Sequence, residues 1–367
     1  MIYLDHAATT PVAREVADTM YDVLLNGSGN PSSQYPYGAA AKKRLEADRA
    51  VIAAALGCKP DELYFTSCGT ESDNWAIRLA AHQNRRVGKH IITTAVEHSA
   101  VLEPCRQLEQ EGYAVTYLAP DRQGNITAQQ VADALREDTA LVSVMLVNNE
   151  TGCVFPVVEI ARLLRERGSR ALLHTDAVQA FLKLPFRADT LGADLISVSG
   201  HKLNAPKGVG ALYIGPRCRA VRPLLAGGGQ ERGLRSGTEA TAQVAGFAKA
   251  VELRLGGGKA RPHGAAQAVR ARAATHHRWR GAHRERRRPA YPLRLARRLS
   301  ERERCHRARR AGHLHLRRLG LPPRQAQPRL RRDEARQKDG RGRSARELRA
   351  RDDARGDRRV CIRAPQA

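Results

Sequence analysis

Between residues 62 and 215 the sequence alternates short, β-rich apolar runs with longer segments of helical character. This alternation is typical of an α/β fold, in which the strands form a parallel sheet and right-handed crossovers place helices on both faces. We therefore predict an α/β protein with a mostly parallel, seven-stranded sheet. The predicted strands are 62–66, 90–94, 114–118, 141–147, 171–175, 195–199 and 210–214, and the predicted helices are 71–84, 99–111, 128–137 and 157–167.

The composition changes abruptly near residue 257. Residues 259–367 hold 35 of the 63 Lys and Arg but 10 of the 37 Asp and Glu, which leaves 28 and 27 for residues 1–258. The body is thus nearly neutral, whereas the tail is strongly basic and has too few aliphatic residues for an ordinary core. We predict a tail that is disordered over 257–367, following a large domain at 16–256 and an N-terminal segment of a small domain at 1–15.

Several classes of protein are disfavoured by the sequence. The seven cysteines include no Cys-x-x-Cys pair, so neither a disulfide framework nor a zinc site is indicated. The N-terminus does not resemble a secretory signal, and the longest strongly apolar run, 141–147, is shorter than the roughly 20 residues that cross a bilayer. We expect a cytoplasmic protein that binds no metal and does not associate with membranes.

Polar residues follow the predicted strands at the edge where an open α/β sheet binds its ligands. Lys202 comes after a strand that ends in small residues, and a lysine with a lowered pKa can form a Schiff base with a carbonyl cofactor. Asp176 ends the preceding strand and can pair with the ring nitrogen of such a cofactor. Taken singly, Lys202 also fits an ordinary surface lysine, and Asp176 fits a helix N-cap.

Three further features suit a phosphorylated aromatic cofactor. His98 can stack on a ring or transfer protons, although a structural histidine explains it equally well. Gly69 and Thr70 precede a predicted helix, whose N-terminus attracts anions. Small hydroxyl and cationic groups that can complete a phosphate site are Ser199, His201 and the segment RSGT at 235–238.

Together these segments resemble the cysteine desulfurases, pyridoxal 5'-phosphate (PLP) enzymes of fold type I that convert L-cysteine to alanine and an enzyme-bound persulfide. The resemblance covers most of residues 2–254, and its details are most similar to the NifS branch, which serves nitrogenase and iron–sulfur cluster assembly. The motifs that carry it are YLDHAATTP at 3–11, GNPSS at 29–33, TSCGTESDN at 66–74, Glu97-His98, NNETG at 148–152, HTDAVQ at 174–179, SGHK at 199–202 and GGGQERG at 227–233.

The resemblance implies a role for each matching residue. Lys202 holds PLP covalently, Asp176 pairs with the pyridine nitrogen, and His98 stacks on the ring and serves in catalysis. Thr238 reaches the phosphate in the other subunit of a homodimer. The remaining implied contacts are Asn149 and Gln179 to the ring hydroxyl, and Gly69, Thr70, Ser199 and His201 to the phosphate.

The C-terminal third departs from the family pattern. The family carries its sulfur-accepting cysteine in a motif like SSGSAC, and neither this motif nor the arginine that binds the substrate carboxylate is present. Cys305 and Cys361 stand in unrelated surroundings, and Cys68 and Cys153 belong to the cofactor half. We expect that the tail arises from a reading-frame error in a GC-rich gene, and that the chain as written forms no persulfide.

Two alternatives remain from the sequence. The same fold serves aminotransferases and selenocysteine lyases, which differ from desulfurases in their products. A nucleic-acid binder that uses the arginine-rich tail is also conceivable, but the tail has almost no aromatic residues for base stacking and no known binding module. We favour the desulfurase, with L-cysteine as substrate and an Fe–S scaffold or another sulfur acceptor as partner.

Overall fold

The computed structural model describes residue 3, residues 5–219 and residues 221–256. Short 3-10 turns at Pro60–Glu62, Gly200–Lys202 and Glu231–Gly233 complete the regular structure of this part of the chain. The strands are β1 (Leu63–Thr66), β2 (His90–Thr94), β3 (Ala114–Leu118), β4 (Thr139–Ser143), β5 (Leu172–Asp176), β6 (Leu195–Ser199) and β7 (Gly210–Ile214). The helices are α1 (Arg14–Asn26), α2 (Pro36–Leu56), α3 (Gly69–Gln83), α4 (Ser99–Gln110), α5 (Ala128–Ala134), α6 (Val157–Glu166), α7 (Ala188–Leu191) and α8 (Thr241–Leu255).

The seven strands form one sheet in the order β1-β7-β6-β5-β4-β2-β3. Strand β7 runs antiparallel to both of its neighbours, and every other pair is parallel. The carboxyl ends of β1, β2, β4, β5 and β6 therefore meet along one edge of the sheet. The predicted α/β class and the mostly parallel, seven-stranded sheet are confirmed.

Neighbouring residues of each central strand face opposite helical layers. In β5, Leu172 packs in the cluster formed with α3 and α4, whereas Leu173 packs in the cluster formed with α2, α6 and α8. Leu195 and Ile196 of β6 divide in the same way. Because side chains alternate across a strand, a run that is apolar at every position requires cover on both faces. The helices provide that cover, as predicted.

One predicted strand has different bounds. The apolar run 141–147 was expected as a strand, but β4 ends at Ser143. Val144 and Leu146 still donate to carbonyls of β5, while the N–H of Met145 donates to the Glu97 carboxylate. This side-chain acceptor replaces the partner that a neighbouring strand would supply, so the ladder stops although the run stays buried.

The other predicted elements agree with the structure to within a few residues. Strands β2, β3, β6 and β7 match their predicted bounds, and β5 extends to include Asp176. Within the part that the structure describes, no helix is both long and apolar enough to span a bilayer. The predicted division into segments 1–15 and 16–256 stays a prediction, and the tail at 257–367 lies outside the described residues.

Candidate active site

A cavity of about 500 Å³ opens at the carboxyl edge of the sheet. Its size suits a small-molecule ligand. Thr238, which the sequence places at a partner subunit's site, is exposed and does not line this cavity. The predicted residues that do line it are Gly69, Thr70, His98, Asn149, Asp176, Gln179, Ser199, His201 and Lys202.

Lys202 ends the 3-10 turn that follows β6 and reaches back to the N-terminal segment. Its Nζ donates to the carbonyl oxygens of Ala7 and Ala8, at 2.5 and 2.8 Å. Burial lowers the pKa of Lys202, and the charges of Asp176 and Asp5 partly oppose that shift. A lowered pKa makes the neutral, nucleophilic amine more available near neutral pH.

Asp176 closes β5 and is buried. One oxygen, Oδ1, accepts a hydrogen bond from the N–H of Val178 at 2.8 Å. Burial, and secondly the nearby charge of Asp73, raise the pKa of Asp176 to about 7. A buried carboxylate with a raised pKa gains most from a cationic partner, such as a protonated ring nitrogen.

Two more buried carboxyl groups lie near Asp176. Asp73 on α3 lines the cavity, and burial raises its pKa to about 7. Burial raises the pKa of Glu97 well above its usual range. The Oε1 atom of Glu97 accepts from Thr94 and from the N–H of Met145, each at 2.9 Å. Oxygen atoms Asp73 Oδ1 and Glu97 Oε2 are buried without a hydrogen-bond partner among the described residues.

His174 lies behind these acids in β5 and is neutral at physiological pH, because burial lowers its pKa to about 4. Its Nδ1 lies 2.8 Å from the Ser143 hydroxyl and its Nε2 lies 3.0 Å from the Ser197 hydroxyl. The Nε2 atom is also 3.5 Å from Asp73 Oδ1. The imidazole therefore joins β4 and β6 and lies beside Asp73 of α3 without adding a positive charge.

Other residues that line the cavity offer groups for an anion. Gly69 begins α3, where the first backbone N–H groups have no partners within the helix. A Cβ at Gly69 would lie 2.8 Å from Val178 Cγ2, so this close packing requires glycine. The Ser199 hydroxyl is buried without a partner among the described residues. Burial, followed by the charge of Lys202, lowers the pKa of His201 to about 4, so His201 is a neutral donor here.

The other predicted residues have identifiable partners. His98 caps α4 through Nδ1, which accepts from the N–H of Ala100 at 3.1 Å, so the proton of the neutral ring is on Nε2. Gln179 donates from Nε2 to the Ala7 carbonyl and accepts from Lys183, each at 2.9 Å. The Asn149 amide lies 3.2 Å from the Glu150 carboxylate.

Arg235 does not join the cavity, although the sequence suggested it as a phosphate ligand. Its guanidinium pairs with Glu71 of α3 at 2.7 Å. Glu71 also accepts from the N–H of Ser67, which fixes the turn before the helix. Arg235 thus supports the start of α3 from outside.

Sequence reasoning missed several cavity residues. Asp73 lies in the polar segment at 70–74, so its sequence surroundings do not distinguish it from a surface acid at the start of a helix. The carbonyl groups of Ala7 and Ala8 have no side-chain signature. Cys68 also lines the cavity, but no observation gives it a role as a nucleophile. Cys305 and Cys361 lie outside the described residues.

Known proteins match the same part of the chain. The family model Aminotransferase class-V matches residues 2–275. A cysteine desulfurase IscS from Methanosarcina thermophila is 46% identical over 252 residues, which cover 69% of this chain and 62% of the relative. A cysteine desulfurase from Trichormus azollae is 48% identical over 257 residues, which cover 70% and 63%. The chain therefore spans less than two thirds of the length of these curated relatives.

Solved structures agree with this comparison. A NifS-like protein superposes with a TM-score of 0.67 at 40% identity, covering 70% of both chains. A structure described as SspA in complex with cysteine gives a TM-score of 0.65 at 40% identity, covering 69% of this chain and 72% of the other. The segment that the family model matches, residues 2–275, includes every cavity residue described above. The chain belongs to the aminotransferase class-V family, within which its relatives are cysteine desulfurases and NifS-like proteins.

Proposed function

We propose that the cavity binds PLP, with Lys202 as the covalent anchor. The observation that carries the proposal is that one cavity contains a lysine of lowered pKa, a buried carboxylate and a helix N-terminus. The residues fit the cofactor, because burial raises the pKa of Asp176, whose charge a cationic ring nitrogen would stabilise. The buried Ser199 hydroxyl has no partner among the described residues, and a phosphate oxygen would supply one. PLP is the cofactor of the class-V aminotransferase family.

Each cavity residue then has a chemical task. Bound PLP supplies an electron sink for the carbanion formed at the substrate Cα. Asp176 keeps a proton on the ring nitrogen, and the backbone N–H groups of Gly69 and Thr70 hold the phosphate. His98 presents its Nε2 proton at the cavity surface, and the Lys202 amine accepts and returns a proton at the substrate Cα.

We extend the proposal to the activity of the whole protein. The substrate is L-cysteine and the products are alanine and sulfur, which passes to an Fe–S scaffold or another acceptor. The names of the relatives and the cysteine complex of one structural neighbour support this choice. Service to nitrogenase, a cytoplasmic location and a homodimer in which Thr238 reaches the partner's phosphate are further parts of the proposal.

The binding test is an absorbance spectrum of the purified full chain with added PLP. The unaltered chain is expected to develop the visible band of lysine-bound pyridoxal, and Lys202→Ala is expected to abolish it. Lys207→Ala is the matched control, since Lys207 is exposed and close in sequence. A well-folded, unaltered chain that stays colourless contradicts the proposal.

Products separate desulfurization from transamination. A desulfurase forms alanine and reducible sulfur from cysteine without a keto acid, whereas an aminotransferase requires one. This assay belongs on a chain that carries the family's C-terminal cysteine motif, because the present sequence lacks it. Alanine formed only when a keto acid is added would replace the desulfurase proposal with an aminotransferase.

A further inference from the structure

Residues 5–13, here named the N-terminal strap, contain a turn at 6–8 and are hydrogen-bonded to the Lys202 turn. Thr10 donates to the His201 carbonyl through both its N–H and its hydroxyl, at 2.9 and 2.8 Å. The Thr9 hydroxyl lies 3.1 Å from His201 Nδ1. The strap thereby brings the carbonyl groups of Ala7 and Ala8 to the Lys202 amine.

Asn204 makes three hydrogen bonds to the strap and a fourth to α8. Its N–H donates to the Thr10 hydroxyl at 2.7 Å, and its carbonyl accepts from the N–H of Ala13 at 3.0 Å. Its side chain donates to the Pro11 carbonyl at 2.8 Å and accepts from Arg254 of α8 at 2.7 Å. All four hydrogen-bonding groups of the buried Asn204 are therefore used. They connect the chain just after the Lys202 turn to the strap and to α8.

The backbone of Asn204 explains the choice of residue. Its φ is 64°, in the left-handed region that most side chains avoid. Asparagine tolerates this region better than other residues with side chains, and glycine would supply neither side-chain hydrogen bond. Asparagine thus combines the required backbone conformation with a donor and an acceptor that reach two separate segments.

We propose that Asn204 is a positioning residue that holds the N-terminal strap in register with Lys202, so that the carbonyls of Ala7 and Ala8 set where the lysine amine lies. The importance of that position for catalysis rests on the proposed function. The positioning itself is a property of the polypeptide without cofactor. Loosening the strap frees the Lys202 amine from its two acceptors and opens it to solvent.

The test compares Asn204→Gly with the unaltered full chain, since glycine keeps the left-handed backbone but removes both side-chain bonds. Amide hydrogen exchange is measured at Thr10 and Ala13 without PLP. Lys202 acetylation is then measured with a brief pulse of acetic anhydride above pH 10.5, the ordinary pKa of lysine. At this pH the extent of acetylation reports how accessible the amine is to the reagent rather than its protonation state. The exposed Lys207 gives an internal reference.

We expect the ratio of Lys202 to Lys207 acetylation, and the exchange at both amides, to rise about tenfold in Asn204→Gly. The matched control is Asn84→Ala, because Asn84 is also buried and its side chain donates to the carbonyls of Ala140 and Arg170, each at 2.9 Å. That control is expected to lower stability while leaving both readouts unchanged. If Asn204→Gly does not fold, Asn204→Asp removes the donor to Pro11 and is expected to raise both readouts.

An unchanged acetylation ratio in a folded Asn204 variant overturns the inference, as does an equal rise in Asn84→Ala. The result is separable from the proposed function, which is judged by the visible band with PLP. An unaltered chain that stays colourless defeats the PLP proposal, while the exchange and acetylation results still decide the role of Asn204.

Discussion

Asp73 and Asp176 line the cavity, and the buried carboxyl group of Glu97 lies near both of them. Burial raises the pKa of each, and for Asp73 and Asp176 the rise is from 3.8 to about 7. The folded chain without cofactor therefore retains protons that the unfolded chain has already released. By linkage, these groups make the free energy of unfolding fall as the pH rises from about 4 to about 7.

Asp73→Asn tests this linkage, because asparagine keeps the shape without the charge. We expect the substitution to stabilise the chain without cofactor by about 2 kcal/mol more at about pH 8 than at about pH 5, since the folded Asp73 ionises between these values. Urea unfolding at the two pH values measures the difference. Asp133→Asn, at an exposed position, is the control. An equal effect of Asp73→Asn at both pH values would refute the raised pKa.

The cavity residues that stand at or just beyond strand ends were predictable from the sequence. Asp176, Ser199 and Lys202 are at or just beyond strand ends, where polar side chains interrupt an apolar pattern. The position of Glu97 shortly after a predicted strand was apparent from the sequence. Its burial, however, depends on its hydrogen bonds to Thr94 and Met145, and Met145 follows a different strand, β4. Local patterns do not encode such bonds between distant segments.

At the scale of the elements, the loop that leads to Thr238 is held by one buried ion pair. Glu231 accepts from Arg49 at 2.7 Å, and both side chains are 2% exposed. Glu231 also accepts from the N–H of Phe65 in β1 at 2.8 Å. Glu231 and Arg232 have φ values of 47° and 58°, so two residues other than glycine adopt the left-handed region. The ion pair offsets this unfavourable backbone geometry.

Glu231→Gln is expected to lower the free energy of unfolding by about 3 kcal/mol, because it leaves a buried guanidinium without its principal counterion. Chemical denaturation of the full chain provides the measurement. The control is Glu166→Gln, which alters the exposed pair with Arg162 and is expected to cost about 0.5 kcal/mol or less. Similar losses for the two variants would show that the Arg49 pair does not hold the loop.

Elements with strong periodicity were predicted well, and their ends less well. The run 141–147 is apolar except for Ser143, and a single serine within such a run does not by itself mark the end of β4. That end is set by the Glu97 carboxylate, which takes the Met145 N–H. The sequence likewise could not show that β7 reverses direction, because strand order and direction follow from which segments pair.

At the scale of the whole molecule, the match to relatives ends near the point in the chain where the composition changes. The family model ends at residue 275, and the curated relatives align over about 250 residues. The basic composition begins near residue 259. This agreement motivates the hypothesis that the coding frame is altered close to that point.

Resequencing of the coding DNA tests the hypothesis. We expect a frame change near codon 259 and, in the corrected frame, a cysteine within a motif similar to SSGSAC. The corrected protein should form alanine from cysteine, and should release the sulfur as sulfide when a thiol reductant is added, whereas the chain as written should bind PLP weakly and form no persulfide. An uninterrupted frame that is independently reproduced would refute the frame change. Normal turnover by the present chain would refute the predicted loss of activity.

The sequence by itself determined the α/β class, the two-sided burial of the sheet and the strand-end positions of nine residues that line the cavity. These follow from periodicity and from local polar signals, which act over a few residues. Only the tertiary structure decided that the N-terminal strap meets Lys202 and Asn204, and that Asp73 and Glu97 lie near Asp176. Such contacts join segments up to nearly 200 residues apart, and they form because the sheet brings its carboxyl ends together, which no local pattern specifies.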